Sequence, residues 1–143
     1  MSNAIITDMS GAYIEHSDVI TNFVSMVYNQ LKDNVCRVYP DNVQYKWIMT
    51  DGTEKTVIPD ASINCQIRGK RGNSFINAPQ FVLEVLSPST EKYDRTGKKD
   101  IYCNEEIPEY WIIDPKKRVI EVYDLDYVDD KPQYFLVDTI TEK

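Results

Sequence analysis

The sequence predicts a single α/β domain over residues 1–143, with helices flanking a sheet and additional antiparallel strands. Three observations carry this reading. Ile20, Phe23, Val24, Val27 and Leu31 recur at helical spacing, which marks an amphipathic helix with one apolar stripe. Short runs rich in β-branched and aromatic residues follow, separated by turn residues. A second helical segment after Ser87-Pro88-Ser89-Thr90 then gives way to further strands. Helix, antiparallel strands, helix and returning strands make an α/β sandwich-like core. A chain of 143 residues is long enough for one such core, burying roughly two thirds of its unfolded surface.

The first helix is expected from about Asp18 to Lys32, with Ser17 as N-cap. Strands are expected at residues 36–39, 45–49, 57–67, 80–86, 110–113, 119–123 and 134–137. Asp51-Gly52 and Asp114-Pro115-Lys116-Lys117 mark turns between neighbours. Pro88 ends the fourth strand because it cannot donate to a ladder, and Asp94 is the expected N-cap of a helix to about Asn104. Residues 124–131 read as an exposed acidic loop. The leading Ser2-Asn3-Ala4 resembles a cloning remnant, and the first ten or so residues are expected to be disordered or foreign to the natural chain.

The run Phe81-Val82-Leu83-Glu84-Val85-Leu86 holds the most informative residue. Alternate strand side chains share a face, so Glu84 points with Val82 and Leu86 while Phe81, Leu83 and Val85 point the other way. Both faces are apolar, and a carboxylate is rarely buried without a partner. Residues 61–67 alternate like a strand, and Gly69-Lys70-Arg71-Gly72-Asn73 is a turn-rich connection. An antiparallel pairing centred near Gly72 sets Asp60 opposite Glu84. Two carboxylates so placed repel unless a cation lies between them. Lys98 and Tyr102 share one face of the following helix and Lys99 and Cys103 another, so either lysine can point back toward the carboxylates.

The segments Ile58-Pro59-Asp60, Phe81-Val82-Leu83-Glu84-Val85-Leu86-Ser87-Pro88-Ser89-Thr90, Asp94-Arg95 with Lys98 and Tyr102, and Ile107-Pro108-Glu109-Tyr110-Trp111-Ile112-Ile113-Asp114-Pro115 occur in this order. Together, over residues 16–124, they resemble the Uma-type "putative restriction endonuclease" family of the PD-(D/E)xK nuclease superfamily. The resemblance implies a restriction-endonuclease-like core with a mixed central sheet, and Asp60, Glu84 and Lys98 as catalytic residues. The lysine two positions after the glutamate in the superfamily pattern is Leu86 here, and Lys98 on the next helix matches the family's lysine. A Tyr-Glu-Leu-Ile-Asp-Gly-like hairpin precedes the first helix in the family and has no counterpart in this chain.

On this reading Asp60, Glu84 and the backbone carbonyl of Val85 hold Mg²⁺ or Mn²⁺, both suited to carboxylate oxygen. Lys98 orients the attacking water or stabilises charge at the phosphorus, and Ser87, Lys99 and Tyr102 support these groups. The implied activity is hydrolysis of phosphodiester bonds in DNA. The alternative is a nuclease-fold binding or structural domain without a complete site, and a further class is a hydrolase of another phosphorylated substrate. A homodimer through an exposed sheet edge is an expected assembly.

Composition limits the other choices. His16 is the only histidine, which excludes a multi-histidine zinc site and reads as a capping or solvated residue. There is no Gly-x-Ser-x-Gly elbow, P-loop or dinucleotide glycine fingerprint. Cys36, Cys65 and Cys103 are odd in number and lack CxxC spacing, so they read as reduced, mostly buried thiols. No apolar run is long enough for a membrane helix and no signal-like start is present, so a cytoplasmic protein is expected. The net charge of −7 opposes long-range attraction to DNA. Its distribution softens this: residues 68–99 carry seven Lys or Arg against three Asp or Glu. Arg68, Lys70, Arg71, Lys92, Arg95, Lys98 and Lys99 are therefore expected around the site.

Overall fold

The computed structural model describes residues 3–141, with side chains from Ile14 onward; Ser2 of the leading triplet lies outside. Helix α1 (Asn3–Leu31) precedes strands β1 (Arg37–Tyr39), β2 (Gln44–Ile48), β3 (Glu54–Val57), β4 (Ala61–Asn64), β5 (Lys70–Arg71), β6 (Ser74–Phe75) and β7 (Phe81–Val85). Then come α2 (Glu91–Arg95), α3 (Gly97–Asn104), β8 (Glu109–Asp114), β9 (Val119–Val128) and β10 (Lys131–Thr141). The larger sheet has six strands in the order β1-β4-β7-β8-β9-β10, and the smaller has four in the order β3-β2-β6-β5. The β7–β8 pair is parallel and its flanking pairs are antiparallel, so the central sheet is mixed, as expected.

Each face of the larger sheet has its own core. On one face Val19, Ile20, Phe23 and Val24 of α1 pack on Ala61, Phe81, Leu83, Val85 and Trp111. The rings of Phe23 and Phe81 stack with centroids 5.4 Å apart. On the other face Tyr45, Trp47, Val57 and Phe75 of the smaller sheet meet Ile101 and Tyr102 of α3 over Val82, Tyr110 and Ile112. Because β7 is covered on both sides, all five of its residues are buried. This is why it reads as a nearly continuous apolar run.

The β4–β7 register matches the expectation: Ala61 opposes Leu83, Ser62 opposes Val82 and Ile63 opposes Phe81. The connection is more elaborate than a plain hairpin. Gly72, at φ +64°, turns a small β5–β6 hairpin that leaves the larger sheet, and β6 pairs with β2.

Several expectations are corrected. Helix α1 begins well before Asp18, so Ser17 and His16 lie inside it rather than at its cap. The second helix is broken at Thr96 into α2 and α3, and Asp94 is in the last turn of α2 with a buried side chain. Residues 124–131 are the facing ends of a long β9–β10 ladder closed by Asp129 and Asp130, at φ 52° and 65°. Two successive left-handed residues match the twist of the flanking strands, and aspartate tolerates that conformation.

Cys36 and Cys65 are joined by a disulfide, which overturns their reading as free thiols. They lie one step beyond the opposed pair Arg37 and Asn64, so the β1–β4 register brings them together although 29 positions separate them. Only Cys103 is a free thiol, and burial pushes its pKa up. Among the described residues no helix is long and apolar enough to cross a membrane.

Candidate active site

The site lies at the rim where β7 ends and β4 begins. Asp60 directly precedes β4, and the ladder's register carries it past the last opposed pair to a place beside Glu84. Two hydrogen bonds lock them together. The Asp60 N–H donates to Glu84 Oε1 at 2.8 Å, and the Val85 N–H donates to Asp60 Oδ2 at 2.7 Å. Each carboxylate is therefore oriented by the other's strand.

Glu84 is wholly buried. Lys98, on the first turn of α3, places Nζ 2.6 Å from Glu84 Oε2, and the Tyr102 hydroxyl, one turn on, approaches the same oxygen at 3.5 Å. Asp94 is 2% exposed. Its Oδ2 accepts from Thr90 Oγ1 at 3.1 Å, its backbone carbonyl accepts from the Tyr110 hydroxyl at 2.7 Å, and its Oδ1 stands 3.9 Å from Lys98 Nζ. Glu84, Asp94 and Lys98 thus form a buried cluster that resembles a two-carboxylate-plus-lysine active site.

The electrostatics follow from this packing. Burial pushes the Glu84 carboxyl up to about 8 against the pull of Lys98, and the neighbouring Asp60 and Asp94 charges add to the rise. Burial also raises Asp94, opposed by Lys98 and Thr90. For Lys98, burial works against the charge, but Glu84, Asp94 and Asp60 together outweigh it and hold the ammonium above its ordinary range. The lysine stays protonated because it answers the surrounding carboxyl groups, Glu84 foremost.

His16 is the residue that sequence reasoning misplaced. Its Nε2 lies 3.2 Å from Asp60 Oδ2, so α1 reaches over the rim from the opposite face of the sheet. This contact raises the His16 pKa against the cost of burial. The signal was present in the spacing, since His16 stands four residues before Ile20 and so continues the apolar stripe. Asp94 had a similar signal, being spaced i,i+4 from both Thr90 and Lys98.

The other expected participants are placed as follows. Lys99 sets its Nζ over the Tyr123 ring, 4.0 Å from the centroid, and Ser87 shares hydrogen bonds with Ser89 and Thr90. Val85 contributes its N–H to Asp60. Of the basic residues expected around the site, Lys98 is in it, while the arginines are engaged or placed elsewhere. Arg71 pairs with Glu54 at 2.7 Å, and Arg95 pairs with Glu91 and Glu121. Arg68 follows the far end of β4, whereas Asp60 precedes its near end.

A mixed α/β sheet with a buried carboxylate–lysine cluster at its rim resembles the fold of "putative nuclease" proteins. The profile of the Uma2 family, described as "Putative restriction endonuclease", matches residues 2–140, and the chain belongs to that family. The uncharacterized protein slr1290 of Synechocystis is 30% identical over 116 residues, which is 80% of this chain and 60% of that protein. A crystal structure titled as a "putative nuclease belonging to DUF820", from Anabaena variabilis, superposes with a TM-score of 0.64 at 22% identity. That match covers 85% of this chain and 66% of the other. The chain thus spans less than two thirds of the length of either relative.

Proposed function

We propose that the protein is a metal-dependent endonuclease that hydrolyses phosphodiester bonds in DNA, with Asp60, Glu84 and Lys98 as its catalytic residues. The observation that carries this reading is the interlocked Asp60–Glu84 pair with a lysine on its inner oxygen. Family membership supports a metal-dependent mechanism.

The donor set fits a hard divalent ion. Both side chains offer carboxylate oxygen, backbone N–H groups fix their orientation, and the Asp60 side chain is 16% exposed, which leaves the pair open on one side. Among the described residues no three Asp, Glu, His or Cys side chains converge in metal-binding geometry. Asp60, Glu84 and the Val85 carbonyl would therefore hold Mg²⁺ or Mn²⁺ with water and substrate phosphate completing the shell, as is usual for ions that dehydrate reluctantly. Such an ion, when bound, polarises a phosphoryl oxygen and lowers the pKa of water.

The protein's own groups supply the rest. Lys98 presents a protonated ammonium at the inner end of the pair, where it donates to an attacking water or to charge developing on the phosphoryl oxygens. Tyr102 donates to the same Glu84 oxygen, and its hydroxyl stays protonated because burial pushes its pKa well up. His16 holds the outer oxygen of Asp60. Complete burial keeps bulk water from Glu84.

The test is a nicking assay on supercoiled DNA with Mg²⁺ or Mn²⁺, comparing the parent with Asp60→Asn and Glu84→Gln. Both variants should lose cleavage while keeping the parent's circular dichroism spectrum. A parent that neither cuts nor binds Mn²⁺ in calorimetric titration would instead be a nuclease-fold binding domain.

A further inference from the structure

Lys98 occupies one of the two oxygens that Glu84 could offer a cation, since its Nζ lies 2.6 Å from Glu84 Oε2. An ammonium and a divalent ion repel, and the repulsion is strong where water is excluded. Another acceptor stands one helical turn back along the chain. Asp94 Oδ1 is 3.9 Å from Nζ, beyond hydrogen-bond reach in this arrangement but within a side-chain adjustment of it.

Asp94 is built to stay in place. Its backbone N–H donates to the Thr90 carbonyl at 2.9 Å, its Oδ2 accepts from Thr90 Oγ1, and the buried Tyr110 hydroxyl donates to its carbonyl. A carboxylate 2% exposed with its cation 3.9 Å away is costly if that distance never closes. The cost is offset in a state where the ammonium has moved across.

We propose that Asp94 is the second acceptor of Lys98: the ammonium rests on Glu84 in the cation-free protein and moves to Asp94 when Glu84 takes up a divalent cation. Asp94 is then a positioning residue for the lysine and not a ligand of the ion. The inference rests on the assignment of Glu84 as a cation ligand. It gives the broken helix a use, because Asp94 in the last turn of α2 and Lys98 in the first turn of α3 face each other across Thr96.

Crystals of the parent grown with and without Mn²⁺ test this directly, with the ion located by its anomalous signal. The expected result is an Nζ–Asp94 Oδ1 distance of about 2.7–3.2 Å in the Mn²⁺ form, with Nζ withdrawn from Glu84. Manganese on Glu84 with Nζ still on Glu84 Oε2 overturns the proposal. No manganese on Asp60 or Glu84 overturns the ligand assignment itself, a distinguishable failure that removes the basis of the proposal.

Calorimetric Mn²⁺ titrations of the parent, Asp94→Asn, Lys98→Met and the double variant supply a second reading, with melting curves to confirm folding. Asp94→Asn should weaken binding about tenfold in the parent and less than about twofold in the Lys98→Met background. An equal penalty in both backgrounds means that Asp94 acts on the ion directly, which also overturns the proposal. If the variants do not fold, the paired parent crystals decide.

Discussion

Glu84 and Glu121 stand in one row across the central sheet, each opposed to Ile112 from either side, and both face α2 and α3. Their surroundings differ sharply. Glu121 takes both arms of Arg95 at 2.8 and 2.9 Å, accepts from the Tyr123 hydroxyl at 2.6 Å, and remains 18% exposed. These partners hold its carboxyl below the usual range. Glu84 has no exposure, meets a lysine on one oxygen only, and is pushed up to about 8. A planar guanidinium satisfies a carboxylate in full and fixes it as structure. One ammonium in a dry pocket gives the carboxylate a single charged donor, beside the Asp60 N–H and the Tyr102 hydroxyl, in place of a guanidinium's two.

The sharpest way to break this contrast is to neutralise each glutamate in turn. Glu84→Gln should reduce metal-dependent nicking by about a thousandfold, or roughly 4 kcal/mol in barrier, whereas Glu121→Gln should stay within about threefold of the parent. Comparable losses in both, measured as single-turnover rates, would erase the distinction. Stability should show the reverse ranking. Glu121→Ala removes charged hydrogen bonds and should cost about 1.5–3 kcal/mol in urea denaturation, while Glu84→Gln should cost nothing or stabilise at neutral pH, because folding raises the Glu84 pKa.

The pH dependence should have opposite signs at the two positions, with denaturation followed in chelator. Glu121 is lowered on folding, so its contribution is full above the unfolded glutamate pKa of about 4.3 and fades as pH falls through the folded value. The stability gap between parent and Glu121→Gln should close in acid. Glu84 is raised on folding, so its contribution is full below the unfolded value and is lost as pH rises toward about 8. Parent and Glu84→Gln should therefore diverge as pH rises, with the parent losing ground. The smallest effect belongs to Lys99→Met, which removes the contact over Tyr123 and should cost about 0.5–1 kcal/mol while leaving nicking unchanged.

The legible parts of the molecule were those written by local periodicity. The all-apolar flanks of Glu84 announced a strand covered on both faces, and the turn at Gly72 placed Asp60 beside Glu84 in the correct register. What escaped depended on elements distant in sequence. The Cys36–Cys65 bridge follows from β1 joining the edge of β4, a pairing no local pattern encodes. His16 reads as a capping residue until α1 is known to run through it and to cross the rim. The acidic stretch around Asp129 and Asp130 looked like a loop because its charge masks the strand alternation on either side.

Helix α1 closes one core with Ile20 and Phe23 while touching the site in the other layer through His16. An ion held by Asp60 would repel a protonated imidazole on the same oxygen, so occupancy of the site would be linked to docking of that helix. Faster amide exchange along residues 16–24 on addition of Mn²⁺ would report that linkage. The helix would then serve as a thermodynamic gauge of the site, readable without any substrate being turned over.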